Sequence, residues 1–142
     1  MRKLIILICF IQTLSTEAYS KSTILFLGDG MGITTITAAR IYEGQAKGID
    51  GESHSLSFEN FENVAFVKTY SADAQIPDSA GTMSAIMTGQ KTRSGVISVG
   101  PKYKRGDCES VLLDSRTTLL ELAEKAGLKT GIITTARITD AT

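Results

Sequence analysis

Thr23 to Gly32 reads TILFLGDGMG. The first half is a short apolar run with β-branched content, the pattern of a buried strand. The second half is a turn in which Gly28, Gly30 and Gly32 flank Asp29. Ile33, Ile36, Ala39 and Ile41 then recur at helical spacing, which predicts a helix over 33–42. Strand, glycine turn and helix in that order form the opening unit of an α/β layer fold.

The pattern continues along the chain. Gly44 to Asn60 is polar, with Gly48 and Gly51, and reads as a surface excursion. Val64 to Tyr70 (VAFVKTY) has the composition of a second strand. Pro77-Asp78-Ser79 signals a helix start, Ala80 to Thr88 continues it and Gly89 stops it. Val96 to Val99 is a short strand candidate. Thr117 to Ala126 (TTLLELAEKA) is a helix with Leu119, Leu120, Leu122 and Ala123 on one face and Gly127 at its end. Lys129 to Thr134 returns as a strand centred on Ile132 and Ile133. Such alternation predicts an α/β fold with a mainly parallel sheet and helices on both faces. A sheet domain seldom stops on a strand that needs a covering helix, so the sequence reads as truncated at Thr142.

Before this unit, Arg2 and Lys3 precede an unbroken apolar run, Leu4 to Ile11 (LIILICFI), followed by a polar, small-residue stretch. That order predicts an export signal over 1–20, cleaved after Ser20 or Ala18, with the remaining domain over 21–142. The apolar run is too short for a stable membrane span. The product is expected to be exported, to the periplasm or the medium.

Composition narrows the function. Hydrophobic residues at 42% and charged residues at 21% describe a folding chain. Fifteen basic and fifteen acidic residues cancel, which removes a basic face for nucleic acid. His54 is the one histidine, so a multi-histidine metal site cannot be assembled from this chain alone. Its polar setting, Gly51-Glu-Ser-His54, predicts a solvated loop position. With Cys9 in the export signal, Cys108 is left as a single thiol in an oxidising compartment.

Three stretches carry chemistry. Asp29 lies directly beyond a strand, where ligands sit in open α/β sheets, and its carboxylate suits a divalent cation. A dinucleotide fingerprint would need glycine where Ile33 stands, which disfavours a nucleotide-binding oxidoreductase. Ser79 stands at a helix start, where free N–H groups and the helix dipole attract anions. It can equally be a plain cap. Pro77 excludes the G-x-S-x-G elbow, and the position of His54 argues against a Ser-His-Asp triad. Metal coordination is then the available means of activating a Ser79 nucleophile. Asp140 and Thr142 place a carboxylate and a hydroxyl two residues apart after the last strand, a set that suits Mg²⁺ or simply caps a loop.

Together, Phe26–Gly32 (FLGDGMG), Pro77–Thr82 (PDSAGT) and Thr134–Thr142 (TTARITDAT) resemble the amino-terminal part of alkaline phosphatases, from about Lys21 onward. The resemblance implies hydrolysis of phosphate monoesters through a phosphoserine on Ser79, with two zinc ions and one magnesium in the complete enzyme. Ser79 would bind one zinc, and Asp29 would bridge that zinc and the magnesium. Asp140 and Thr142 would serve the magnesium, and Asp78 would help hold an arginine that grips phosphate. Zinc ions about 4 Å apart would stabilise the attacking and leaving oxygens. The resemblance also implies a homodimer and a distant partner for Cys108. The zinc ligands and the arginine would lie beyond Thr142, so the isolated chain is expected to be inactive. Two alternatives stay open: a catalytically dead, secreted phosphate- or metal-binding module, and a phosphodiesterase of the same superfamily.

Overall fold

The computed structural model describes residues 22–142. The export signal expected over 1–20 lies outside the described residues. Four α-helices appear in chain order: α1 (Ile33–Ala46), α2 (Ser79–Thr88), α3 (Cys108–Asp114) and α4 (Leu119–Lys125), with a 3₁₀ turn at Ser57–Asn60 between the first two. Among the described residues no helix is long and apolar enough to cross a membrane.

Each helix end has a chemical cause. α2 begins because Asp78 accepts from the Gly81 N–H at 3.1 Å, and ends because Gly89 turns left-handed at φ 69°. In α4, the Thr118 side chain accepts from the Glu121 N–H while Glu121 accepts from the Thr118 N–H at 2.6 Å, a reciprocal capping box. Gly127 then supplies a positive φ of 78°. α3 had no counterpart in the sequence reading. Its amphipathic signal is absent, with Leu112 and Leu113 both exposed, and Asp107 caps it from a loop.

The glycine-rich excursion is at the surface, as expected, but it is anchored at Gly44, Gly51 and Leu56, which are buried. Helix α1 runs on to Ala46, and residues 49–60 fold back onto it. Gly51 is buried so tightly that a Cβ there would sit 2.7 Å from the Cβ of Ile41. Arg40 pairs with Glu59 at 2.9 Å, and Glu59 also accepts from the Leu56 N–H at 2.7 Å. His54 is correspondingly not solvated. Its side chain is 12% exposed and its Nε2 lies 3.2 Å from Glu43. The polar stretch is thus a solvent-facing segment fastened to α1 at a few buried points.

The mainly parallel sheet is not formed among the described residues. Thr23–Leu27, Val64–Tyr70 and Lys129–Thr134 carry no strand pairing, and the only bridge is antiparallel, Val99 to Ser115. A strand exists only through a neighbour that takes its N–H and C=O groups. Phe26, Phe66 and Ile133 are accordingly exposed at 85%, 88% and 101%. Apart from Gly44, Gly51 and Leu56 beside α1, most of what is buried lies around α2 and is largely polar. Thr92, Ser84, Ser71 and Asp114 are inside with Ala80, Val96 and Val99. Two of these polar groups are satisfied locally while the Ser71 and Thr92 hydroxyls have no partner among the described residues: Ser84 Oγ donates to the Val96 carbonyl at 3.1 Å and accepts from the Ser98 N–H at 2.9 Å. Asp114 accepts from the Lys102 N–H at 2.9 Å and pairs with Arg116. This hydrogen-bonded block fixes the start of α2.

Candidate active site

Ser79 is the first residue of α2, so its side chain projects from the end of the helix where N–H groups are free. The preceding Asp78 holds it there with both carboxylate oxygens. One accepts from Gly81 N–H, and the other accepts from Gly95 N–H at 2.8 Å, pinning the 93–96 loop against the helix tip. Gly81 is required by closeness. A Cβ there would lie 2.9 Å from the Arg93 carbonyl and 3.0 Å from Asp78 Oδ1.

Asp29 reaches the same point from 50 residues upstream. The Ser79 hydroxyl donates to both its carboxylate oxygens, at 3.2 Å each. The Asp29 loop is a turn that Gly30 makes possible at φ 63° and that Gly32 closes as the N-cap of α1. Thr142 arrives from the other end of the chain, its hydroxyl donating to Asp29 Oδ2 at 3.0 Å. Three of the residues singled out from sequence therefore share one exposed cluster. Asp140 is not hydrogen-bonded to it. Its carboxylate accepts from the Ala141 N–H at 2.8 Å and its N–H donates to the Arg137 carbonyl at 2.9 Å, shaping the turn that carries Thr142.

Sequence reasoning missed the Gly95 contact of Asp78. A glycine in a loop with φ 71° was the available signal, but nothing in the spacing tied it to α2. His54 and Cys108 are not part of the cluster. His54 packs on α1, and Cys108 opens α3 as an exposed free thiol.

One carboxylate with two hydroxyls is an all-oxygen donor set, and it fits a hard cation such as Mg²⁺. Among the described residues no three His, Cys, Asp or Glu side chains converge to complete a zinc site. A hydroxyl at a helix start, paired with a carboxylate open to solvent, is the arrangement of a candidate nucleophile.

Comparison with known proteins makes the class specific. The alkaline phosphatase family pattern matches residues 20–142, and the chain belongs to that family. It is 42% identical over 132 residues to the human tissue-nonspecific isozyme of alkaline phosphatase, covering 93% of this chain and 25% of that protein. It is 43% identical over 135 residues to alkaline phosphatase 4 of Drosophila melanogaster, covering 92% and 22%. With an alkaline phosphatase of Gadus morhua it shares 42% over 132 residues, covering 93% and 28%. The chain spans about a quarter of the length of these relatives. Membership implies the α/β fold.

Proposed function

We propose that the protein of which this chain forms at least a part hydrolyses phosphate monoesters, with Ser79 as nucleophile. The observation that carries the reading is the convergence of Ser79 and Thr142 on Asp29 at the tip of α2. The Ser79 oxygen attacks phosphorus in line, the ester oxygen leaves, and water then releases phosphate from the phosphoserine. Asp29 orients the hydroxyl and lies within reach of its proton. The helix tip offers N–H groups to the phosphoryl oxygens. Asp78 keeps that tip in place, and any hold on a phosphate-gripping arginine is a second role for it.

Asp29, Ser79, Asp140 and Thr142 are the residues here that would hold cations, in a set of two zinc ions and one magnesium completed by other ligands. When bound, that set supplies positive charge against the phosphoryl oxygens and lowers the pKa of the serine hydroxyl. We further assign Thr23–Leu27, Val64–Tyr70 and Lys129–Thr134 to strands of a mainly parallel sheet that forms once each has its neighbour. Export directed by residues 1–20 and assembly as a homodimer belong to the same proposal.

The test is to express the protein from its own full reading frame, incubate it with p-nitrophenyl phosphate at low pH, and map phosphorylation by mass spectrometry. Phosphate on Ser79 is expected. Turnover without a phosphorylated Ser79, or faster cleavage of the bis ester than of the monoester, would overturn the assignment.

A further inference from the structure

A polar, half-open cavity lies beside the Gly95 loop. Its volume is about 230 Å³ and it is lined by Asp73, Arg93, Ser94, Val96, Tyr103 and Arg105. Pockets for drug-sized molecules run from about 300 to 1,000 Å³, so this one suits a small ligand. None of Asp29, Ser79 and Thr142 lines it.

The two guanidinium groups are held by backbone carbonyls. Arg93 Nε donates to the Pro101 carbonyl at 2.8 Å, and Arg105 Nη2 donates to the Ser94 carbonyl at 2.5 Å. Gly95 leaves room for the second. A Cβ at that position would lie 2.7 Å from Arg105 Nη2. Neither arginine forms an ion pair among the described residues, so each keeps charge and N–H donors for a ligand. The hydroxyl of Ser94 is buried without a hydrogen-bond partner among the described residues. One Asp73 oxygen accepts from the Ser94 N–H at 2.9 Å, and its other oxygen is not engaged there.

Two fixed cations call for an oxyanion. The carboxylate adds a condition, because it only accepts hydrogen bonds and repels an anion that brings no hydrogen. Sulfate and the dianion of a phosphate monoester carry none. Hydrogenphosphate carries one P–OH. We propose that this cavity binds inorganic phosphate as hydrogenphosphate, with Arg93 and Arg105 on its unprotonated oxygens, Ser94 or Tyr103 donating a further hydrogen bond, and Asp73 accepting from the P–OH. The ligand is the product of the reaction proposed above, but the site does not depend on that reaction.

The experiment is a calorimetric titration of inorganic phosphate into the protein from its full reading frame carrying Asp29→Ala and Ser79→Ala, which disables the candidate active site without emptying it, so the binding assigned to this cavity is the component that the arginine changes below remove. Saturable phosphate binding is expected, with sulfate and phenyl phosphate each at least about tenfold weaker. Adding Arg93→Gln and Arg105→Gln is expected to weaken phosphate by about tenfold or more. The paired Arg→Lys changes should recover only part of it, since charge returns without the fork. Asp73→Asn should remove the preference over sulfate. Both arginines are exposed, so circular dichroism should be unchanged in these variants. Phosphate binding that ignores the arginine changes, equal affinity for sulfate, or no binding in the Asp29→Ala/Ser79→Ala protein would overturn the proposal. Failure of the phosphatase reading would leave the titration unaffected.

Discussion

The Thr142 hydroxyl donates to Asp29 at 3.0 Å across 113 residues of chain. Ser79 donates to the same carboxylate, so Asp29 ties together three loops that are remote in sequence. A polar contact this exposed contributes little stability by itself. Its value is positional, because it sets two hydroxyl oxygens around one carboxylate.

Replacing Ser79 by Ala in the complete protein should lower kcat/KM for p-nitrophenyl phosphate by on the order of 10³-fold or more, as removal of a nucleophile does in other hydrolases. Steady-state kinetics check it, with circular dichroism as the folding control. An Ala variant within tenfold of the parent would remove Ser79 from the chemistry.

Thr142→Val keeps the shape of the side chain and deletes its hydroxyl. Magnesium affinity of the complete protein should fall by at least roughly 10–100-fold, the usual effect of losing even an outer partner of a ligating carboxylate. Titration of activity recovery with Mg²⁺ after chelation measures the change. An unchanged curve would show that the Thr142–Asp29 contact is only a loop fastening.

Asp78 caps α2 and holds Gly95 N–H with its second oxygen. Asp78→Ala should cost about 1–2 kcal/mol from the lost cap, and more from the stranded Gly95 donor. Asp78→Ser should restore the cap without the loop contact. Urea unfolding of the three proteins separates the two parts, and equal stability of the Ala and Ser variants would contradict the capping role.

Gly51→Ala should destabilise by about 1–3 kcal/mol through overpacking against Ile41. Gly48 has φ 75° with open space around it, so Gly48→Ala should cost only the left-handed backbone penalty of about 1–2 kcal/mol. Thermal unfolding of the two single variants distinguishes them. Gly51→Ala should lower the melting temperature more than Gly48→Ala, and an equal or smaller loss would contradict the overpacking.

Acid should loosen α4 through one carboxyl. The Thr118 N–H and hydroxyl, in that order, hold the Glu121 pKa below the usual carboxylate range. A carboxyl whose pKa is lowered on folding stabilises the fold above its unfolded pKa and ceases to do so as pH falls through the folded value. Helix content of α4 should therefore decline on the acid side of ordinary carboxylate titration, and Glu121→Gln should flatten that decline. Amide exchange across 118–127 follows it directly, and identical acid profiles for parent and variant would refute the linkage.

How much of this was readable beforehand depends on the range of the interaction. Asp78-Ser79 announces a helix start because a cap acts within one turn, whereas the Thr118–Glu121 capping box was not read beforehand. Asp29, Ser79 and Thr142 were legible as chemistry because each follows a strand signal or opens a helix. Their meeting was implied by resemblance, and no local pattern encodes it. At 44–60 the polar pattern announced the exposed segment but not its anchors, Gly51 on Ile41 and the Arg40–Glu59 pair, neither of which has a hydrophobic period. It also gave no warning of α3. The three strand signals reflect composition, and composition cannot provide the neighbour that a ladder requires.

That missing neighbour bears on how the protein is made. Phe26, Phe66 and Ile133 sit in β-prone segments whose backbone groups stay open and whose side chains face water. Such segments dock onto any edge within reach, whether on the same chain or on another molecule. Within this stretch, closure onto a proper companion competes with clumping, and concentration sets the balance.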